Sequence, residues 1–231
     1  MKDGILVVNK PKGITSHDVV DFVRKKLKIR RVGHSGTLDP IATGVLLILV
    51  GRATKLFHHF LGFDKEYVAT LTLGSQTTTG DTTGRVIATK DFKQISLEKI
   101  NEVLIQFLGQ SLQVPPMFSA LKYKGKRLYL LAQRGIEVER TARPIVVKEL
   151  KLLDFNLPDI KFYLKCSKGT YVRKIAEDIA CKLGSLGYIS QIQRQAIGPF
   201  KIQEAISLDQ IHETHIRPYY FTRDRIATQS L

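Results

Sequence analysis

The sequence predicts an α+β domain. Strands and helices interleave along the chain without the regular crossover units of a doubly wound parallel sheet. Of its 231 residues 43% are hydrophobic, enough to bury a core without disulfides or metals. Residues 67–73 alternate with a period of two, with Tyr67, Ala69, Leu71 and Leu73 on one face, which marks a half-buried strand.

Taken in order, Ile5-Leu6-Val7-Val8 reads as a short buried strand, ended by the turn Lys10-Pro11-Lys12-Gly13, where Pro11 removes a ladder donor. A helix follows, capped by Ser16 with Asp18 favourable in its first turn, and Val19, Val20, Val23 and Leu27 recur at helical spacing. Residues 32–44 hold three glycines and a proline and are expected to form a shaped loop leading into a strand over 45–50. Leu56, Phe57, Phe60 and Leu61 suggest a helix from residue 53, and the strand at 67–73 comes next. The Thr- and Gly-rich stretch 74–84 reads as a loop with a strand at 85–89 beyond it. Ser96 caps a helix carrying Leu97, Ile100, Val103, Leu104 and Phe107, with Gly109 past its end. The pattern loosens over 115–144 into a basic excursion in which only 128–132 looks helical. Strands at 145–155 and 160–166 precede a helix opened by Gly169-Thr170 and carrying Val172, Ile175, Ala176, Ile179, Ala180 and Leu183.

Charge narrows the function classes. With 36 Lys and Arg against 21 Asp and Glu, the formal charge is +15, an attractive field for a polyanion. The cations cluster: Arg24, Lys25, Lys26, Lys28, Arg30 and Arg31 occur with no acid between them, and 115–143 carries Lys122, Lys124, Lys126, Arg127, Arg134, Arg140 and Arg143 against Glu137 and Glu139. The longest apolar run, 45–50, falls far short of the roughly 20 residues of a membrane span, and 5–8 is too short for a secretory signal. The expectation is a cytoplasmic protein with a nucleic-acid partner and no membrane. Cys166 and Cys181 are not at metal-ligand spacing, so both are expected as free thiols, and neither His58-His59 nor His212/His215 has an accompanying ligand cluster, which favours a solvated surface.

No phosphate-binding loop and no dinucleotide fingerprint occurs. What remains is Gly33-His34-Ser35-Gly36-Thr37-Leu38-Asp39-Pro40, followed by Ala42 and Gly44. Pro40 biases Asp39 away from the α region and so holds its carboxylate on extended backbone. An Asp-Pro pair after glycine is, by itself, ordinarily a turn or a helix cap.

The string GHSGTLDPIATGVL resembles the signature of the TruB-type tRNA pseudouridine synthases. Further matching stretches follow the family's order: Asn9-Lys10-Pro11-Lys12-Gly13, Ala53-Thr54-Lys55, Lys65-Glu66-Tyr67, the loop ending at Asp81, Pro115-Pro116-Met117-Phe118-Ser119-Ala120-Leu121-Lys122, and Cys166-Ser167-Lys168-Gly169-Thr170-Tyr171-Val172-Arg173. The resemblance implies a mixed, mainly antiparallel central sheet with flanking helices. It implies a catalytic domain over 1–207, with 115–143 as a basic RNA-binding insertion, and a short tail or remnant of an RNA-binding PUA domain over 208–231.

The implied reaction is isomerisation of uridine 55 in the T loop of tRNA, with no cofactor and no metal, by a monomer that does not act on DNA. Asp39 is the implied nucleophile, acting on ribose or uracil. Arg173 is its implied cation; its place in the first turn of a helix opposes the helix dipole, and the alternative is a surface or phosphate-binding arginine. Tyr67 is implied to stack on the target base and transfer a proton, and core packing alone is the other reading. His34 would fill the space of the extruded base, Tyr171 and Lys55 would organise the pocket or bind phosphate, and Lys122, Lys124, Lys126 and Arg127 would bind RNA. Thr78 and Thr83 depart from the family pattern where acids are usual, and Gln193-Arg194-Gln195 stands where a more basic stretch is usual. A non-catalytic RNA-binding protein of the same fold is the rival, and a binder has no need of a carboxylate facing a polyanion.

Overall fold

In a computed structural model that describes residues 3–92 and 95–219, the first apolar run becomes β1 (Gly4–Lys10). Helix α1 (Ser16–Leu27) follows and buries Val19, Val20, Val23 and Leu27. Its cap is Thr15 and not Ser16: Thr15 and Asp18 form a reciprocal capping box. The stretch expected to be wholly loop begins instead with β2 (Val32–Ser35), which pairs antiparallel with β3 (Thr43–Val50). A 3-10 helix (Gly51–Leu56) precedes α2 (Phe57–Gly62), so the α-helix starts later than the apolar spacing suggests.

Strand β4 (Lys65–Leu73) alternates strictly between buried and half-buried residues, as its period predicts. The Thr- and Gly-rich stretch is not wholly loop: it contains β5 (Ser75–Thr77), which forms a hairpin with the expected strand, β6 (Val86–Thr89). After α3 (Leu97–Ile105), capped by Ser96, come β7 (Gly109–Gln113), the small hairpin β8 (Lys122–Tyr123) and β9 (Lys126–Arg127), and α4 (Leu128–Ala132). The chain continues through β10 (Arg143–Asn156), β11 (Asp159–Cys166), α5 (Val172–Lys182), β12 (Gly187–Ile197) and β13 (Phe200–Lys201).

Among the described residues nine strands form one sheet in the order β1-β3-β12-β4-β11-β10-β7, with β2 also on β3 and β13 on β12. Every strand pair in it is antiparallel except β12 with β3. The fold is thus α+β with a mixed, mainly antiparallel sheet and flanking helices. Both faces of β1 and β3 are covered. Leu6, Val8, Leu46, Ile48 and Val50 face the main core, whereas Ile5, Val7, Val45, Leu47 and Leu49 face a second core with Ala53, Leu56 and Phe60. This accounts for their continuous apolar runs.

The outer edge of β1 is closed by backbone bonds from Ile5 to Arg217 and from Val7 and Asn9 to Ile206, while Ile211 and Ile216 enter the main core. Within the expected tail, Arg217 is thus tied to the first strand and Ile211 and Ile216 to the core; residues 220–231 lie outside the described residues. No helix among the described residues is long and apolar enough to cross a membrane. Cys166 is buried and Cys181 exposed, both free. The solvated-surface expectation fails for His59, which is half-buried, contacts the rings of Phe60, Phe63 and Tyr219, and hydrogen-bonds the Tyr219 hydroxyl.

Candidate active site

Strand β3 offers its second edge to two partners: β12 pairs at Thr43 and Gly44, and β2 takes over from Leu47 to Val50. The loop 36–42 emerges where these partners meet. Its apolar residues Leu38, Ile41 and Ala42 are buried, so the loop is anchored while the Asp39 side chain stays 41% exposed. Ser16, freed from capping, holds the loop from α1: its Oγ accepts from Leu38 N at 2.8 Å and donates to Leu38 O at 3.1 Å. On the other flank Pro40 O accepts from Gly13 N at 2.7 Å. The fully buried Lys10 donates from Nζ to Ile14 O, Pro11 O and Pro40 O at 2.7, 2.9 and 3.4 Å. Burial pushes the Lys10 ammonium down to about 8, against the opposing pull of the Asp39 carboxylate.

Arg173, in the first turn of α5, is buried and ties three loops together. Its Nε donates to Asp39 Oδ2 at 2.8 Å, Nη1 to Thr79 O at 2.5 Å and Nη2 to Phe118 O at 2.8 Å. Asp81 Oδ2 stands 3.7 Å from Nε. That carboxylate is itself buried, and its Oδ1 accepts from Thr79 Oγ1 at 2.7 Å, Thr83 N at 2.9 Å and Thr83 Oγ1 at 2.5 Å. The threonine at 83 therefore helps to orient the acid that faces Arg173.

Tyr67 is buried on β4, directly opposite Arg194 on β12. Burial raises the phenol above its ordinary range, while the charge of the Arg194 guanidinium works in the other direction. Arg194 is 1% exposed and donates to Val45 O at 2.7 Å, Gly36 O at 2.9 Å and Thr37 O at 3.4 Å.

His34, on β2, is half-buried, and its Nδ1 has no hydrogen-bond partner among the described residues. Burial first, then the charges of Arg194, His17 and Arg127, lowers it to about 4, so the ring is neutral near pH 7. Tyr171 caps α5 at backbone level, its N–H donating to Gln113 Oε1 at 2.8 Å and its carbonyl accepting from Gln113 Nε2 at 3.2 Å. Burial raises its phenol against the pull of Ser119, Arg143 and Arg173.

The structure brings Asp39, Arg173, Tyr67, His34 and Tyr171 to one end of the sheet. Lys55 is exposed on the 3-10 helix that follows β3, next to Thr54, whose side chain lies beside Gly33 on β2. Lys122, Lys124, Lys126 and Arg127 form an exposed hairpin beside the site, with Arg127 Nη1 donating to Ala120 O at 2.8 Å and its charge reaching His34. Sequence reasoning did not select Lys10, Asp81 or Arg194 as site residues. A charged residue two positions from Ile192 and Ala196 in a β pattern was the available signal for Arg194. Among the described residues no cluster of His, Cys, Asp or Glu has the makings of a metal site.

The model of the TruB family pseudouridylate synthase N-terminal domain matches residues 24–172. A tRNA pseudouridine synthase B of Francisella tularensis subsp. tularensis (strain WY96-3418) is 46% identical over 212 residues, covering 91% of this chain and 70% of the relative. The protein of that name in Francisella philomiragia is 44% identical over the same length. Among solved structures, a chain of a Cbf5-Nop10-Gar1 complex superposes with a TM-score of 0.70 at 30% identity, covering 89% of this chain and 52% of that one. A chain of an H/ACA RNP bound to a substrate RNA containing 2'-deoxyuridine gives 0.67 at 27%, covering 89% and 51%. The chain thus spans about half the length of these two structural neighbours and 70% of its curated relatives. The family match runs through the Asp39 loop, Tyr67 and Asp81 to the threshold of Arg173, and on it the chain belongs to the TruB family of pseudouridylate synthases.

Proposed function

We propose that this protein converts uridine 55 in the T loop of tRNA to pseudouridine, with Asp39 as the nucleophile. The observation that carries the reading is the carboxylate of Asp39, held by Arg173 at 2.8 Å on a loop whose neighbouring residues are buried, yet open enough for a nucleotide to reach it. The curated relatives supply the substrate class, since they are tRNA pseudouridine synthases.

In the reaction the bond from uracil N1 to ribose C1′ breaks and one from C5 to C1′ forms, while C5 loses a proton and N1 gains one. Nothing is oxidised and no water is consumed. Asp39 attacks ribose or uracil or promotes elimination from the ribose; each route uses a carboxylate presented without reorganisation, which the Arg173 hydrogen bond provides. Tyr67 forms an aromatic wall for the flipped base, with its phenol available for the proton step. His34 fills the space that the base vacates. The basic segment 115–143 and Tyr171 hold the RNA, with Lys55 a further phosphate contact.

The test is single-turnover conversion of an unmodified tRNA transcript, read as a mass shift after selective derivatisation of pseudouridine. Asp39→Asn keeps the shape and loses the nucleophile, so it is expected to abolish turnover and leave tRNA binding intact. A rate within tenfold of wild type, about 1.4 kcal/mol, removes Asp39 from this role.

A further inference from the structure

Among the described residues Arg194 is the one fully buried guanidinium in the central strands for which the proposed chemistry names no role. Burying an ion is expensive, and an apolar side chain of similar volume fills such a position at lower cost. The environment shows what the charge is used for. Arginine only donates hydrogen bonds, and Arg194 directs its donors to Val45 O on β3 and to Gly36 O and Thr37 O, the carbonyls just before Asp39 in the catalytic loop. Across the ladder it stands directly opposite Tyr67, so its charge faces the phenol. A cation that carries only donors disfavours a phenolic O–H pointed back at it and favours one pointed away.

We propose that Arg194 is a positioning residue for the isomerisation: one guanidinium sets the backbone that carries Asp39 and, from directly across the ladder, orients the phenol of Tyr67, so that nucleophile and phenol are registered against each other. Lys10 and Arg173 reach only the Asp39 side of this arrangement. The inference rests on the proposed role of Tyr67.

The experiment measures single-turnover rate and tRNA affinity for wild type, Arg194→Lys, Tyr67→Phe and the double variant, with melting temperature as the record of folding. Lysine keeps the charge but not the fork, and so cannot serve the loop and the phenol together. Arg194→Lys is expected to slow turnover at least thirtyfold with tRNA affinity within threefold of wild type, and to cost at least tenfold less when Tyr67 is already Phe. A rate within threefold of wild type, or an equal cost in both backgrounds, overturns the proposal. A fully active Tyr67→Phe instead removes the tyrosine's role on which it rests, a distinct result. If Arg194→Lys does not melt cooperatively, Arg194→Gln, which keeps two donors, takes its place; failure of both to fold overturns the proposal in favour of a purely structural arginine.

Discussion

Arg173 and Asp39 are 134 positions apart in the sequence and 2.8 Å apart in space, joined by an Nε–H donated to Oδ2. Their burial is unequal: the arginine side chain is 6% exposed and the aspartate 41%. Water on the aspartate side limits what the pair adds to folding to about 1 kcal/mol, so its value lies in aiming the carboxylate. Arg173→Lys puts a point charge where a fork served Asp39, Thr79 O and Phe118 O. The expected outcome is a single-turnover rate reduced at least a hundredfold, about 2.7 kcal/mol of transition-state stabilisation, with tRNA still bound. A rate within threefold of wild type would show that charge alone suffices.

Gly44 is one of the two β3 residues that pair with β12. Its φ is +99°, and a Cβ there would lie 2.2 Å from Arg194 O and 2.8 Å from Arg194 N, both backbone atoms. Gly184 separates strain from contact, because its φ is +83° and a Cβ would meet nothing within 4 Å. Gly184→Ala is expected to cost about 1 kcal/mol from the backbone conformation alone. Gly44→Ala is expected to cost at least about 3 kcal/mol, since the parallel junction must also open. Denaturant unfolding of the two variants decides it, and equal losses would mean that the close approach at Gly44 carries no weight.

Much of this was legible in the sequence because local pattern and tertiary burial agreed. The period-two alternation at Tyr67 survives as the inner face of β4, and the unfavourable position of Arg173 in a first turn is resolved by its three loop contacts. The misses have identifiable causes. Strand β12 was not predicted because register shifts after Ile189 and after Arg194 break its alternation, so the inward residues change parity along the strand. The same break concealed Arg194. Strand β2 is only four residues, Val-Gly-His-Ser, and acquires its conformation from pairing with β3. Thr15 and Ser16 are both good caps in isolation; the hydroxyl that capping leaves free is Ser16, and Leu38 takes it.

His34 makes stability depend on acid. Its folded value is lowered to about 4 from an unfolded 6.5, so between these limits the unfolded chain binds the proton and the folded one does not. Stability from this group is complete above pH 6.5 and is lost as pH falls toward 4. From pH 7 to 5 the wild type is expected to lose up to about 2 kcal/mol more than His34→Gln. Urea unfolding at the two pH values measures this, and parallel losses in both proteins would contradict a neutral, desolvated ring.

The β8–β9 hairpin separates binding from chemistry. Lys122, Lys124 and Lys126 are exposed, and Lys124 Nζ lies 5.5 Å from the Tyr123 ring centroid. Replacing all three by alanine is expected to change stability by no more than about 0.5 kcal/mol for each substitution, as surface substitutions do. If they contact phosphates, each neutralised contact releases counterions, and its loss flattens the dependence of log binding constant on log salt by about 0.7 to 0.9. Arg127 is left in place because its guanidinium also holds the Ala120 carbonyl, and removing it would confound RNA contact with loop structure. The triple variant should therefore bind tRNA more weakly at low salt, approach wild type as salt rises, and convert saturated substrate at the wild-type rate. An unchanged salt slope would take the hairpin out of the RNA interface, whereas a slowed step at saturation would mean that it shapes the site through Phe118 and Arg173.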